Sequence, residues 1–382
     1  MSSITDVVIA GGGVIGCSIA YHLRKAGVPV TVIDQGEIGA EASSAAAGLL
    51  APLGSLAGPG PFADLLLASF ALFPTLVPEL EDASGVRMEY ERTGALRVVR
   101  NAKNVPNLRK RMKAWQPLGL HMRWLSGEEA RQLEPTLAPD VCAALYAPEE
   151  SQIKAAQVVK AFAQAAANLG ATLLSHTRIE GIQQQHDRVT ALITSQGDII
   201  PCHQLVIASG AWSAQWSALL HIELAVIPQR GQILALRQPV PPLRHIIFGE
   251  AAYLAPKQDG TVVVGATREE VGFDKHLTAG GIAWLLSTAK GLIPSLEHSA
   301  IERMWAGLRP KTPDNLPILG PAPGWENVTL ATGHGSVGIM LSAITGQALA
   351  ELLVAGVAPE LIRPFALVRP ADLSAEDAHG EW

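Results

Sequence analysis

Cysteine is scarce in this chain, and the scarcity removes several classes of protein at once. Cys17, Cys142 and Cys202 are the only three, far apart and without a CxxC pair. A disulfide scaffold and a thiolate metal site are therefore not expected, and a reducing compartment fits. Charge is sparse too, at 17% of residues, with a formal net charge of -6 and a pI near 6.0. Nothing in that balance favours nucleic acid or an anionic membrane as partner. The densest basic run, Arg109, Lys110, Arg111 and Lys113, reads as the solvated face of a helix.

A secretory leader is not expected, because Met1 to Asp6 carries no Lys or Arg. The longest uncharged stretch, Ala42 to Ala63, is broken by Gly48, Pro52, Gly54, Gly58, Pro59, Gly60 and Pro61. A membrane span needs about 20 residues of unbroken apolar helix, so this stretch reads as loop. The expectation is a cytoplasmic protein with no membrane span. What the chain has in quantity is apolar side chain, 48% of 382 residues, enough for one elaborated core or two domains.

The first 48 residues carry the strongest signal. Asp6 to Ala10 is a β-rich run, Gly11-Gly-Gly13-Val14-Ile15-Gly16 follows, and Cys17 to Ala26 reads as a helix closed by Gly27. Val28 to Ile33 is a second β-rich run that ends at Asp34. This is GxGxxG in its required setting of strand, turn, helix, strand and acid. Gly11 permits the tight turn, and Gly13 lets backbone N–H groups approach a pyrophosphate at the helix N-terminus. Gly16 lets helix and strand pack closely, while Asp34 can accept ribose hydroxyls and would repel a 2′-phosphate. The motif does not separate FAD from NAD. Ser43-Ser44-Ala45-Ala46-Ala47-Gly48 is a run of small residues that could lie against a flat ring system. Read alone, it fits a serine-capped helix start equally well.

Further on, Asp64 to Leu80 has helical spacing interrupted by Pro74 and Pro78, and Glu89 to Arg100 reads as strands. Asn101 to Gln116 reads as a helix, Ser126 to Glu129 as a capping box, and Lys154 to Leu169 as a long alanine-rich helix. Ala171 to His176, Val189 to Thr194 and Gln204 to Ala208 read as successive strands, the last running into a turn at Ser209 to Ser213. From Leu224 the texture is antiparallel β, with short strands at Ala225–Ile227, Gln232–Leu236, Ala252–Ala255 and Thr261–Gly265. Ile282 to Leu292 is helical, and Val328 to Ala355 forms another strand, glycine turn and helix. The fold class is α/β: a discontinuous Rossmann-type domain with a mixed, largely antiparallel β-sheet domain built from two insertions. The expected boundaries give 1–85, 148–222 and 305–370 to the nucleotide domain. Residues 86–147 and 223–304 go to the substrate domain, and 371–382 form a polar tail.

Six motifs fall in a specific order: DVVIAGGGVIG from Asp6, SSAAAGLLAP from Ser43 and LVIASGAW from Leu205. Then come AAYLAPKQDGTVVVGAT from Ala251, MWAGLRPKTPDNLPILG from Met304 and ATGHGSVGIMLSAITG from Ala331. Together, and over nearly the whole chain, they resemble the D-amino-acid oxidase superfamily, most closely the glycine oxidase family associated with thiamine biosynthesis. The resemblance implies FAD rather than NAD, held non-covalently, since no cysteine follows Cys202. It implies oxidation of glycine and other small amines or D-amino acids by hydride transfer to flavin N5. The products are an imine, then a 2-oxo acid and ammonia, with molecular oxygen reduced to hydrogen peroxide. A dehydrogenase passing electrons to a quinone or partner subunit is the alternative, and a homo-oligomer is left open.

By the same resemblance Arg309 holds the substrate carboxylate and the Tyr253 hydroxyl also contacts it. Gly335, Ser336, Val337, Gly338, Ile339 and Met340 surround the flavin pyrimidine end, with His334 packed beside the ring. Gly210 and Trp212 belong to the second glycine turn, and Ile179 presents its backbone to the adenine side. The cofactor set is completed by Gly11, Gly13, Val14, Ile15, Gly16 and Asp34, with Ser43, Ser44, Ala46, Ala47 and Gly48. Three positions depart from the family pattern. Ser336 replaces a second arginine, Ala251 replaces a histidine of some members, and Arg268 replaces an apolar pocket residue. Arg268 either points into the pocket, to accept an acidic substrate group or replace the charge missing at Ser336, or pairs on the surface with Glu269 or Glu270.

Overall fold

The computed structural model describes residues 7–369, so Asp6 and the expected polar tail 371–382 lie outside the described residues. Five parallel strands and one antiparallel edge strand make the first sheet. Their order is Ile318–Pro321, Val328–Thr332, Gln204–Ile207, Val7–Ala10, Val30–Ile33 and Thr172–Leu174. Side chains alternate across a strand, and this sheet is buried on both faces. Val7, Ile9, Val30, Val32 and Val206 face a layer formed by the helices Val14–Lys25, Pro61–Ser84, Ala155–Asn168 and Gly338–Ala355. Val8, Ala10, Ile33, Leu205 and Ile207 face Val189 and Leu192 of a three-stranded antiparallel sheet. Because Val7–Ala10, Gln204–Ile207 and Val328–Thr332 are parallel neighbours, the glycine turns that follow them gather at one sheet edge. That edge is where doubly wound sheets bind nucleotides.

The second sheet has eight strands in the order Ile301–Lys311, Ile227–Arg237, Thr261–Gly265, Tyr253–Pro256, Ile246–Phe248, Ala95–Val99, Ala143–Ala147 and Arg123–Ser126. All its pairings are antiparallel except that of Ile246–Phe248 with Ala95–Val99. One face buries Leu234, Leu254, Val262 and Val264 against the helix Ala279–Leu292. The other presents Ile233 and Val263 to Ala47, and Ile246 and Phe248 to Ala51. The cleft opens along this second face.

Several elements differ from the sequence expectation. Pro61–Ser84 is one continuous helix with Pro74 and Pro78 inside it. Both prolines are exposed, on the solvent side, where the carbonyls that lose a partner can bond water. Ile227–Arg237 is a single strand of 11 residues rather than two short ones. Of Glu89 to Arg100, only Ala95–Val99 is strand. The strand Ile301–Lys311 had no β signature, and it runs across the boundary expected at 305. Pairing with Ile227–Arg237 along its length keeps it in the eight-stranded sheet. It is an edge strand, which is why Pro310 is tolerated within it.

Among the described residues, two helices are long and apolar enough to cross a membrane, Pro61–Ser84 and Gly338–Ala355. The apolar character of the second follows from its place in the core. Ser18 Oγ donates to Ser342 O (2.7 Å) and Ser69 Oγ donates to Met340 O (2.6 Å), both buried.

Candidate active site

The first glycine turn is shaped by close approach. Gly11 has φ +119°, and a Cβ on it would stand 2.3 Å from the carbonyl oxygen of Ala208. A Cβ on Gly16 would stand 2.0 Å from Gly11 O, so helix and turn touch backbone to backbone. Gly13 caps the helix, and Gly13, Val14 and Ile15 line the cleft at its N-terminus. Ser43 Oγ accepts from Val14 N at 2.9 Å. Asp34 lies behind the turn, where Oδ2 accepts from Gly12 N (2.7 Å) and Oδ1 from Gly36 N (2.8 Å). Burial holds its carboxyl above the usual aspartate range, although both backbone bonds pull the other way. Each of its oxygens keeps a lone pair for a ribose hydroxyl. A glycine-lined helix N-terminus with a carboxylate behind it, opening into a long cleft, fits a dinucleotide.

The same cleft reaches the second sheet. Arg309, half-buried in Ile301–Lys311, crosses Gly231 of the paired strand, where a Cβ would stand 2.4 Å from Nη2. Its Nη1 donates to Thr267 O at 3.0 Å. Burial lowers its pKa, and the charge of Arg268 adds to that. The ring of Tyr253 lies over Gly265, its partner in the strand register, with room only because Gly265 has no Cβ. Burial pushes the Tyr253 hydroxyl up to about 12, with Arg309 and Arg268 opposing. Arg268 is exposed at the cleft wall, as are Ala251 and Ser336. Among the described lining residues Arg268 and Arg309 are the only Arg or Lys, and there is no Asp or Glu.

The small-residue segment lies along the cleft, and neither of its serines caps its helix, since Glu41 stands at the N-cap. Ala42–Ala45 is a short helix, and Ala45 to Gly48 line the cleft. Trp305 Nε1 donates to Ala45 O (2.9 Å), and a Cβ on Gly307 would stand 2.6 Å from that of Ala45. Lys257 Nζ donates to Ala47 O (2.7 Å) and to Gln152 Oε1 (2.9 Å). The segment is therefore tied to the second sheet at two carbonyls. On the opposite side, Gly335 N donates to Pro310 O at 3.0 Å, joining the turn before Gly338–Ala355 to the strand of Arg309. His334 is buried, which lowers its pKa to about 3, and its Nε2 lies 3.2 Å from Thr345 Oγ1. It is a neutral imidazole.

Not every expected cofactor residue lines the cleft. Gly210 and Gly335 to Met340 do, whereas Gly11, Gly16, Asp34 and Ser44 stand behind its wall. Ser44 Oγ donates to Gly39 O. Trp212 is also outside the lining, tilted against the ring of Phe273 with centroids 5.3 Å apart. Ile179 begins the strand Ile179–Gln185 and packs into the core beneath the first sheet. The sequence reading passed over Gly231, Gly265, Phe248 and Ser55, which line the cleft, and Thr267, which anchors Arg309. For the two glycines a signal was present, since glycine inside a strand marks a close approach.

Residues 6–352 match the family described as FAD dependent oxidoreductase. The glycine oxidase of Geobacillus kaustophilus is 34% identical over 366 residues, 95% of this chain and 97% of that protein. The crystal structure of glycine oxidase from the same organism matches with a TM-score of 0.91, covering 96% of this chain and 98% of the other. The bifunctional protein ThiO/ThiG of a Synechocystis species is 36% identical over 96% of this chain, which spans 54% of that longer protein. The hydrogen cyanide synthase subunit HcnC of Pseudomonas aeruginosa is 32% identical, with 97% of both chains covered.

Proposed function

The chain belongs to the DAO family of FAD-dependent oxidoreductases, with FAD as its cofactor, and we propose that it oxidises glycine and other small amines or D-amino acids. The products are an imine, hydrolysed to a 2-oxo acid and ammonia, and hydrogen peroxide from molecular oxygen. The single observation that carries this reading is the Arg309 guanidinium, held across Gly231 in the same cleft as the nucleotide turn.

A guanidinium and a carboxylate make two parallel charge-assisted hydrogen bonds, which fix the substrate in plane as well as position. Thr267 O holds Nη1 of Arg309, so the fork is oriented before substrate arrives. Tyr253 keeps its proton far above neutrality and serves as a second donor to the same carboxylate. No Asp or Glu lines the cleft among the described residues, and His334 is buried and neutral. The amine therefore sheds its proton to solvent, and its free lone pair assists the breaking of the adjacent C–H bond. Bound FAD supplies the two-electron acceptor for that bond. The N-terminus of Gly338–Ala355, with Gly338, Ile339 and Met340 lining the cleft, offers backbone N–H groups to negative charge.

We assign the remaining roles in the same spirit. The six-stranded sheet and its helices hold FAD through Gly11 to Gly16, Asp34, Ser43 to Gly48, Gly210 and His334 to Met340. The eight-stranded sheet, including Ile301–Lys311, forms the substrate domain. A cytoplasmic setting is supported by the three free cysteines.

Anaerobic mixing of the yellow protein with glycine tests the proposal: the flavin bleaches, and admitted air restores it with release of peroxide. A flavin that no small amine or D-amino acid bleaches overturns it. Similarity to HcnC supports a second reading, in which electrons pass to a quinone or partner subunit. Stopped-flow reoxidation separates the two, since slow reaction with oxygen and fast reaction with a quinone selects the second.

A further inference from the structure

We infer that Glu269, an anion outside the cleft lining, is a positioning residue for Arg309 and acts on it through Thr267. This rests on the proposed oxidase reading and deepens it. Thr267 O accepts from Arg309 Nη1 at 3.0 Å, so whatever fixes Thr267 also fixes the guanidinium. Thr267 is buried, and its backbone N donates to Gln232 O at 3.2 Å. Its Oγ1 accepts from Gln232 N (2.9 Å) and donates to Glu269 Oε2 (3.0 Å). The hydroxyl thus uses its proton and a lone pair at once, which holds the side chain in one orientation.

Glu269 is itself anchored to the strand beneath Arg309. Side chains alternate across Ile227–Arg237, so Gly231 lines the cleft while its neighbours Arg230 and Gln232 do not. Arg230 is buried, and its Nε donates to Glu269 Oε2 at 2.8 Å. The same oxygen accepts from Gln232 Nε2 at 2.9 Å. Two backbone bonds lock the pair, from Arg230 N to Glu269 O (2.8 Å) and from Glu269 N to Arg230 O (3.0 Å). Arg230 Nη1 is engaged elsewhere, donating to Asp274 Oδ2 and His276 O, both at 2.9 Å. A carboxylate oxygen can gather several donors, and bonds to a charged acceptor are the stronger ones. Glu269 therefore ties the Thr267 hydroxyl to the strand that carries Gly231, and the Thr267 carbonyl passes that constraint to Arg309.

Titration of the holoenzyme with glycolate, the hydroxy analogue of glycine, reads the carboxylate site through the flavin absorbance without turnover. Glu269→Ala and Thr267→Val are each expected to raise the glycolate Kd about tenfold at unchanged flavin content. Thr267→Ser keeps the hydroxyl and recovers most of that loss. Because Glu269 acts through Thr267, the double variant is expected to lose about tenfold as well, rather than about a hundredfold. An unchanged Kd in Glu269→Ala, additive losses in the double variant, or a loss that tracks flavin content overturns the inference. A wild-type flavin that glycolate leaves unperturbed overturns it too, even where glycine bleaches that flavin. Should Glu269→Ala not fold, Thr267→Val leaves Arg230 and Glu269 paired, and its comparison with Thr267→Ser decides. If no amine bleaches the flavin, the oxidase reading falls, and the glycolate titrations still decide the role of Glu269.

Discussion

Gly231 lies against the guanidinium of Arg309, so that a Cβ added at Gly231 would meet Nη2 at 2.4 Å and Cζ at 2.7 Å. The contact joins two paired strands, with Gly231 opposite Gly307 and Arg309 opposite Gln229. It makes the absence of one methyl group a condition for the position of the Arg309 guanidinium.

Gly231→Ala is accordingly expected to fold, to bind FAD and to lose turnover. The side chain of Arg309 must swing away by about an ångström, and misplacement on that scale costs ~100-fold in rate. The measurement is kcat/KM for glycine beside FAD content and thermal stability. Wild-type activity with a normal flavin spectrum would show that Arg309 does not act from its observed position.

Much of this candidate site is legible in the sequence. The turn at Gly11 to Gly16 and the acid at Asp34 sit in one local run, and local runs are what sequence patterns report. Arg309 and Tyr253 were found through motif resemblance, because a single arginine or tyrosine has no local signature. What could not be read was nonlocal. Gly231 and Gly265 matter because of side chains brought over them by sheet register, from Arg309 and Tyr253. Ile301–Lys311 was hidden because Gly307 and Pro310 weaken a β pattern that an edge position tolerates. Pro74 and Pro78 suggested breaks in a helix whose buried face, with Phe73, Leu76 and Val77, keeps it whole.

Lys257 is one of two struts, with Trp305, between the second sheet and the small-residue segment. Its ammonium is half-buried, and burial lowers its pKa to about 8 although Glu91, Asp259 and Glu89 oppose the shift. Lys257→Met leaves the Ala47 carbonyl without that donor and loosens Ala45 to Gly48 along the cleft. We expect the Kd for FAD to rise about tenfold, the scale of one lost charged hydrogen bond. Quenching of flavin fluorescence by the apoprotein measures it. An unchanged Kd would remove this segment from the cofactor site.

His334 gives the fold a dependence on acid. Its folded pKa, about 3, lies below the unfolded value of roughly 6.5. As pH falls through 6.5 the unfolded chain gains a proton that the folded chain refuses, so stability declines from there towards pH 3. His334→Gln can keep a bond to Thr345 and has no such proton to gain. Its Tm is expected to fall less steeply than that of the wild type between pH 7 and 5. The residual slope belongs partly to His22, whose pKa burial also lowers. Parallel slopes in the two proteins would mean that His334 is protonated in the folded state.

The cleft wall rests on a buried ion pair. Arg97 Nη1 donates to Glu150 Oε2 (2.6 Å) and Nη2 to Oε1 (2.9 Å), while Oε1 also accepts from Leu53 N (3.0 Å). Both side chains are essentially inaccessible, and the guanidinium lies 4.6 Å from the ring centroid of Phe248, a lining residue. Removing one partner strands the other charge in a dry site, at a cost of about 3–5 kcal/mol. Glu150→Gln is therefore expected to lower Tm by roughly 5–10 °C. An apolar double replacement, Arg97→Met with Glu150→Leu, should recover part of that loss, since no charge is then left unpaired. Because Phe248 leans on Arg97, the single variant should also alter the absorbance of bound flavin when a carboxylate ligand is added. A Tm within about 1 °C of the wild type for Glu150→Gln would show that water reaches Arg97 and compensates its charge.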